Sequence, residues 1–449
     1  MVKGIVIING ISLPFTLDGF DLTLKLVQME DITLISSVVK DANGALIYSI
    51  NDRLDSDELT GTLSNGNKIL IYLKDTFIFD CTDEIELKCR CYCILRDSSI
   101  PNIIRFFSPV LFDMCEVKKI INYEQNNQSE MRNINLPIWK KDEAEFHDFV
   151  VDSNTLSIAF TKGYEINLQK SKPIRLYGGI SLQFDSKNFS IKYLYMLYLN
   201  TKRLLNFLCL CQNVTFNEIN LVSKTDDIHS QLIGDFFVDT YETINNLNKN
   251  NNFIPYSLFK HRLSQLASQI FNHNMYLRHL PISNNSMITE ASFILLFAGF
   301  EYEFNKKYKI PHKMSTIKAR KNIETKLNNL KESSNSKEKK ILKNLIDHVA
   351  DDIFTEKIRH ILNIYSYQIG LLCKDSYVNN NIEFSIDTIA ERLGEQRNAL
   401  VHGNIKKSFE KEIIVDYYVL MKATYFIQLL NVGFNAEESV KMIKVLFKN

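Results

Sequence analysis

The 449-residue chain contains no uncharged apolar run of about 18 residues, the least a membrane-spanning helix needs, so no span is expected. Its opening, MVKGIVIINGISLPF, has a short apolar run interrupted by Asn9 and Gly10, so no secretory signal is expected either. Neither sign of charge is in excess: 53 Lys and Arg stand against 52 Asp and Glu, a net of +1. Any surface that attracts nucleic acid must therefore be local. There is no GxxxxGKS or GxxxxGKT phosphate loop, no GxGxxG after a strand, no HExxH and no paired CxxC, which removes the common nucleotide and zinc signatures. The segment YGGISL at Tyr177 is too short to cradle a pyrophosphate. The single tryptophan, Trp139 in LPIWK, has no chemical partner in sequence and reads as packing.

Hydrophobic residues make up 45% of the chain, enough to bury real cores and to exclude a disordered polymer. The eight cysteines include Cys81, Cys89, Cys91 and Cys93. One-residue spacing does not suit zinc, whose ligands are usually two to four residues apart. In Glu84–Leu95 the residues Ile85, Leu87, Cys89, Cys91, Cys93 and Leu95 alternate with Glu86, Lys88, Arg90 and Tyr92, the period of a half-buried strand. These cysteines are expected on its core face as small hydrophobes, and no metal or cofactor is expected. Free cysteines in apolar surroundings suit a reducing cytoplasm.

The fold expected is α+β. Short alternating runs (Lys3–Ile8, Lys68–Leu73, Glu84–Leu95, Thr155–Phe160, Ile174–Phe184) make the N-terminal part β-rich, as a sandwich or curved sheet. Asn43-Gly44 and Asn65-Gly66 suit tight hairpin turns. A helix follows from an N-cap at Ser190 and closes this region. From Pro255 onward helical spacing dominates, with helices over Ile288–Tyr308, Thr316–Lys331, Ser336–Ala350, Thr355–Leu372, Ile386–His402, Phe409–Leu430 and Ala436–Phe447. Three parts result: a β-rich domain over 1–225, a helical connector over 226–285 and an all-α bundle over 286–449.

One short element in that bundle carries chemistry: Arg397-Asn398-Ala399-Leu400-Val401-His402-Gly403, at the end of a predicted helix that Gly403 stops. A histidine that titrates near neutrality can move a proton, and a fixed guanidinium can stabilise charge gathering on a phosphate. The plain alternative is a histidine on the helix dipole and a surface arginine. Five residues advance about 140° around an ideal helix, so the two side chains do not share one face.

RNALVHG resembles the Rx4–6H signature of the HEPN superfamily. SFILLFAGFEYEFNKKY is similar to that superfamily's earlier apolar helix with an embedded acid, here Glu301, with Glu303 a weaker candidate. The order of parts resembles the ApeA-like anti-phage proteins, with Ile310–Ile341 as an insertion. The resemblance implies a metal-independent endoribonuclease that cuts RNA, transfer RNA among the candidates, by 2′-hydroxyl attack and leaves a 2′,3′-cyclic phosphate. It implies Arg397 and His402 as catalytic, with Asn398 and Glu301 beside them, and a homodimer that builds one cleft from two copies. On resemblance alone, the β-rich domain senses a phage-derived trigger or restrains the nuclease in an abortive defence. The locally basic run with Lys313, Lys318, Arg320 and Lys321 is a candidate RNA contact. The competing reading is a non-catalytic HEPN scaffold, or the partner of a nucleotidyltransferase-type toxin.

Overall fold

A computed structural model of the chain describes residues 1–8, 10–26, 37–40, 46–49, 57–74, 84–115, 123–124, 133–134, 145–166, 174–212, 214–224, 230–240, 252–282, 287–312, 314–348, 353–403 and 409–447. Cys81, Trp139, Lys313 and the Asn43-Gly44 pair lie outside the described residues. The chain divides into two units, Met1–Asn274 and Met275–Asn449.

Strands of the first unit are, in chain order, β1 (Val2–Ile8), β2 (Ile11–Asp18), β3 (Asp21–Lys25), β4 (Ser37–Lys40), β5 (Leu46–Ser49), β6 (Glu58–Leu63), β7 (Lys68–Leu73), β8 (Glu84–Leu95), β9 (Ile103–Phe107), β10 (Tyr123–Glu124), β11 (Asn133–Ile134), β12 (His147–Val151), β13 (Asn154–Ile166), β14 (Ile174–Gln183), β15 (Glu218–Lys224) and β16 (Ser230–Val238). Six of them, β1, β2, β3, β8, β7 and β6, close into a barrel. Closure depends on the length of β8, which pairs with β3 along Glu84–Lys88 and with β7 along Cys89–Leu95. The same strand also pairs with β16 along Cys91–Leu95, and the sheet continues through β15, β9, β14 and β13 to β12.

Alternation directs one face of each barrel strand inward, so Val6, Leu13, Leu22, Ile69 and Ile85 form a dry core. Cys89 belongs to that core; Cys91 and Cys93 are also buried, and all three are free thiols. Burial pushes the Cys89 thiol up to about 12, so it behaves as a small hydrophobe. The other face of β8 is covered too: Tyr92 stacks on Phe237 with ring centroids 4.7 Å apart. The Asn65-Gly66 turn joins β6 to β7, with Gly66 at φ +87, a conformation that favours glycine.

Helix α1 (Pro109–Met114) lies on β14, and YGGISL is the strand beneath it. A Cβ on Gly178 would fall 2.4 Å from the Leu111 carbonyl oxygen, so this glycine serves close helix–strand packing. Helix α2 (Ile191–Cys209) starts as expected, the Ser190 hydroxyl accepting the Tyr193 N–H at 3.1 Å. Helices α3 (Tyr256–Phe259) and α4 (Leu263–Phe271) pack on the sheet through Tyr256 against Phe160 and Phe271 against Phe149. The span 226–285, read from sequence as a helical connector, therefore contains β16, α3 and α4 of the first unit and the opening residues of the second.

The second unit is helical: α5 (Glu290–Lys307), α6 (Met314–Ser333), α7 (Ser336–His348), α8 (Phe354–Ile364), α9 (Ser366–Asn380), α10 (Ile386–Val401), α11 (Lys411–Val432) and α12 (Ala436–Leu446). Thr289 with Ser292 caps α5, and Asn435 with Glu438 caps α12, each by a reciprocal pair of hydrogen bonds. Helix α11 is long and apolar enough to cross a membrane, but 78% of its most apolar window is buried, as befits a central bundle helix. It packs along α5 and is flanked by α9, α10 and α12. The single helix expected over Thr355–Leu372 breaks at Tyr365, whose ring meets Phe426 and whose hydroxyl lies 3.0 Å from that of Tyr308. Helices α6 and α7 form a polar hairpin with no buried residue on α6.

Candidate active site

Three helices converge on the motif arginine. Helix α10 begins at Ser385, whose hydroxyl accepts the Thr388 N–H, and runs regularly to Val401. It approaches α8 closely at Gly394: a Cβ there would stand 2.0 Å from Thr355 Oγ1. Glycine inside a helix costs about 1 kcal/mol relative to alanine, and the close approach accounts for it here. One turn further on, Arg397 projects over the face of Phe354, its Cζ 5.1 Å from the ring centroid. Phe354 is itself wedged against Phe297 and Phe300 of α5.

The guanidinium ends on a carboxylate. Arg397 Nη2 donates to Glu301 Oε2 at 3.1 Å, while Lys357 Nζ of α8 lies 3.5 Å from Glu301 Oε1. The side chains of Arg397, Glu301 and Lys357 keep 32%, 25% and 11% of their exposure, so the cluster is closed on Lys357 and open at Arg397. Two cations share one anion, which leaves the group with a surplus positive charge.

His402 is the C-cap residue of α10, with its backbone N–H on the Asn398 carbonyl at 3.1 Å. Gly403 follows at φ +73 and ends the helix as expected. The imidazole is exposed and has no hydrogen-bond or ion-pair partner among the described residues. Asn398 is exposed as well. Thus Arg397 and Glu301 are brought together, while His402 and Asn398 face outward from the same helix without joining them.

Glu303 does not join Arg397. It is fully buried and accepts from the Tyr276 backbone at 2.9 Å, Lys306 at 2.8 Å and Asn431 at 3.1 Å. It ties the segment before α5 to α5 and α11. The i to i+2 step from Glu301 turns it to another side of the helix.

A second polar cluster on α10 escaped sequence reading. Arg392 donates from Nε and Nη2 to the two oxygens of Asp416 at 2.6 and 2.9 Å, and the Tyr377 hydroxyl also donates to Asp416. Asp416 is wholly buried. Its hydrogen bonds hold the Arg392 guanidinium above its ordinary value, and burial followed by the charge of Asp416 pushes the Tyr377 phenol up. Arg359 adds contacts to Asp387 at 2.7 Å and Glu391 at 3.5 Å, so α10 is clamped on several sides. Among the described residues no three His, Cys, Asp or Glu side chains converge as a metal-ligand set.

Of the candidate RNA contacts, Lys318 and Lys321 are exposed on α6, and Arg320 Nη1 lies 3.0 Å from His312 Nε2. Lys318, Arg320, Lys321, Lys326 and Lys331 stand on α6 against Glu324 and Glu332, a local excess of three positive charges.

A family model described as Apea-like HEPN matches residues 295–438, from within α5 to the start of α12. Residues 295–438 are an Apea-like HEPN domain. The match takes in Glu301, Lys357, Arg397, Asn398 and His402. Apea-like HEPN domains are associated with ribonuclease activity in defence systems. No curated protein matches the chain, and no solved structure does.

Proposed function

We propose that the HEPN domain is a metal-independent endoribonuclease of an anti-phage defence system. The observation that carries this reading is the Arg397–Glu301 pair on the helix that ends in an exposed His402, within the matched segment. RNA supplies the nucleophile. Its 2′-hydroxyl attacks the adjacent phosphorus, the 2′-proton passes to a base, and the P–O5′ bond breaks as the 5′-oxygen gains a proton. The products are a 2′,3′-cyclic phosphate and a 5′-hydroxyl. His402 is assigned to proton transfer at one of these oxygens, and Arg397 to the charge on the non-bridging oxygens.

Both roles must meet at one phosphate. Arg397 and His402 are about 140° apart in azimuth and about 7.5 Å apart along an ideal helix. A cleft assembled from two copies about a two-fold axis resolves this, with Arg397 and His402 reaching the phosphate from different protomers. The basic face of α6 is assigned to the RNA backbone, and Asn398 to the rim of the cleft. An active ribonuclease in the cytoplasm would harm its own cell. The β-rich unit is therefore assigned to restraint, released by a phage-derived trigger.

The test is sequencing of RNA ends after induced expression of the wild type, Arg397→Ala and His402→Ala. New 2′,3′-cyclic phosphate ends with the wild type alone support the reading. Equal RNA profiles for all three, with soluble protein in each case, would overturn it in favour of a non-catalytic scaffold.

A further inference from the structure

We propose that Lys357 is a positioning residue that governs how tightly Glu301 holds Arg397, and so how much of the guanidinium remains for a phosphate. The consequence for RNA rests on the nuclease reading above. The geometry does not.

An arginine and a carboxylate left to themselves favour two parallel hydrogen bonds, one to each oxygen. Here the pair is single: Arg397 Nη2 reaches Glu301 Oε2 at 3.1 Å and makes no other hydrogen bond among the described residues. The second oxygen faces Lys357 Nζ at 3.5 Å. Lys357 is only 9% exposed, and Glu301 is its one ion-pair partner among the described residues. A buried ammonium is costly unless paired, so Lys357 has strong reason to keep Oε1. Among the described residues its other support is the face of Phe304, 5.9 Å from Nζ.

Competition follows from this arrangement. Lys357 neutralises part of the charge of Glu301 and occupies its second oxygen. Arg397 is thereby steered but not saturated, and it retains donors on its more exposed side. Without the Lys357 ammonium, Glu301 would turn both oxygens to Arg397 and withdraw it from substrate.

The experiment compares full-length wild type, Lys357→Met, Lys357→Gln, Lys357→Arg, Glu301→Gln and the double variant E301Q/K357M. Loss of the charge in K357M or K357Q is expected to lower kcat/KM on RNA about tenfold, with K357R within about threefold of wild type. The double variant is expected to recover activity relative to K357M, because no carboxylate remains to over-hold Arg397. Additive losses in the double variant would instead mean packing or direct RNA contact, and would overturn the proposal. A crystal structure of K357M, or of K357Q should K357M not fold, gives a readout independent of cleavage. Arg397 bonded to both Glu301 oxygens supports the proposal; an unchanged single contact overturns it. If the wild type cuts no RNA, the nuclease reading fails while the crystal structure still decides the role of Lys357.

Discussion

Glu301 on α5 accepts a hydrogen bond from Arg397 on α10 at 3.1 Å, across 96 positions of sequence. A carboxylate partner fixes the direction of the guanidinium, and the Phe354 ring beneath it limits its swing. An arginine held this way before substrate arrives is worth more to a developing phosphate charge than a mobile one, because little reorganisation remains to be done.

Substitution of Arg397 or His402 by alanine is therefore expected to cut RNA cleavage by at least about a hundredfold, the usual effect of losing a charge-stabilising or proton-transferring group. Arg397→Lys is expected to recover little, since an ammonium lacks the planar fork. Single-turnover cleavage of a defined RNA measures this. Thermal denaturation of the same variants should change little for His402→Ala, whose side chain is exposed and unpaired among the described residues.

On α6, Lys318→Gln and Lys321→Gln are expected to weaken RNA binding without regard to sequence. Each lost phosphate contact should reduce the slope of log affinity against log salt by about 0.7 on single-stranded RNA. Titrations of the Arg397→Ala protein at several salt concentrations measure the slope without cleavage. An unchanged slope would mark this face as merely solvated.

The Arg392–Asp416–Tyr377 cluster predicts a stability effect. Asp416→Ala leaves a guanidinium and a phenol without their shared acceptor and is expected to cost about 3–5 kcal/mol. Replacing the ion pair together, as Arg392→Met with Asp416→Leu, is expected to cost less than Asp416→Ala alone. Urea unfolding measures both.

His279 sets a pH dependence. It is 2% exposed, and burial pushes its imidazole from 6.5 down to about 4. The folded value lies below the unfolded one, so its contribution is complete above pH 6.5 and is lost as pH falls towards 4. Within that window stability is expected to fall by up to about 1.4 kcal/mol per pH unit from this residue. Urea midpoints for the wild type and His279→Phe, taken across the window, should diverge on acidification, the variant falling less. Parallel curves would show that His279 does not carry the dependence.

Much of the fold was legible because its periodicities are local. Lys68–Leu73 and Glu84–Leu95 are the strands their alternation predicts, and the caps at Ser190 and Asn435 lie where short-range chemistry puts them. Barrel closure was not legible. It depends on β8 having partners far apart in sequence, and a strand's own pattern is silent about which edges it pairs. The break at Tyr365 was hidden for a similar reason: apolar spacing continues through it, and the ring contact with Phe426 is tertiary. Gly394 was visible as a glycine within a helical stretch, but its meaning waits on Thr355.

By itself the sequence determined most element types, though not the strand β16 within 226–285, together with the helical C-terminal part and the RNALVHG segment, because propensity, period and capping act over a few residues. Tertiary structure alone decided that Lys357 shares the Glu301 carboxylate with Arg397, that Glu303 is instead buried against Tyr276, Lys306 and Asn431, and that Asp416 is buried against Arg392. The physical reason is range. Ion pairs and burial are set by which surfaces of separate helices meet, and that is fixed by the packing of the whole bundle.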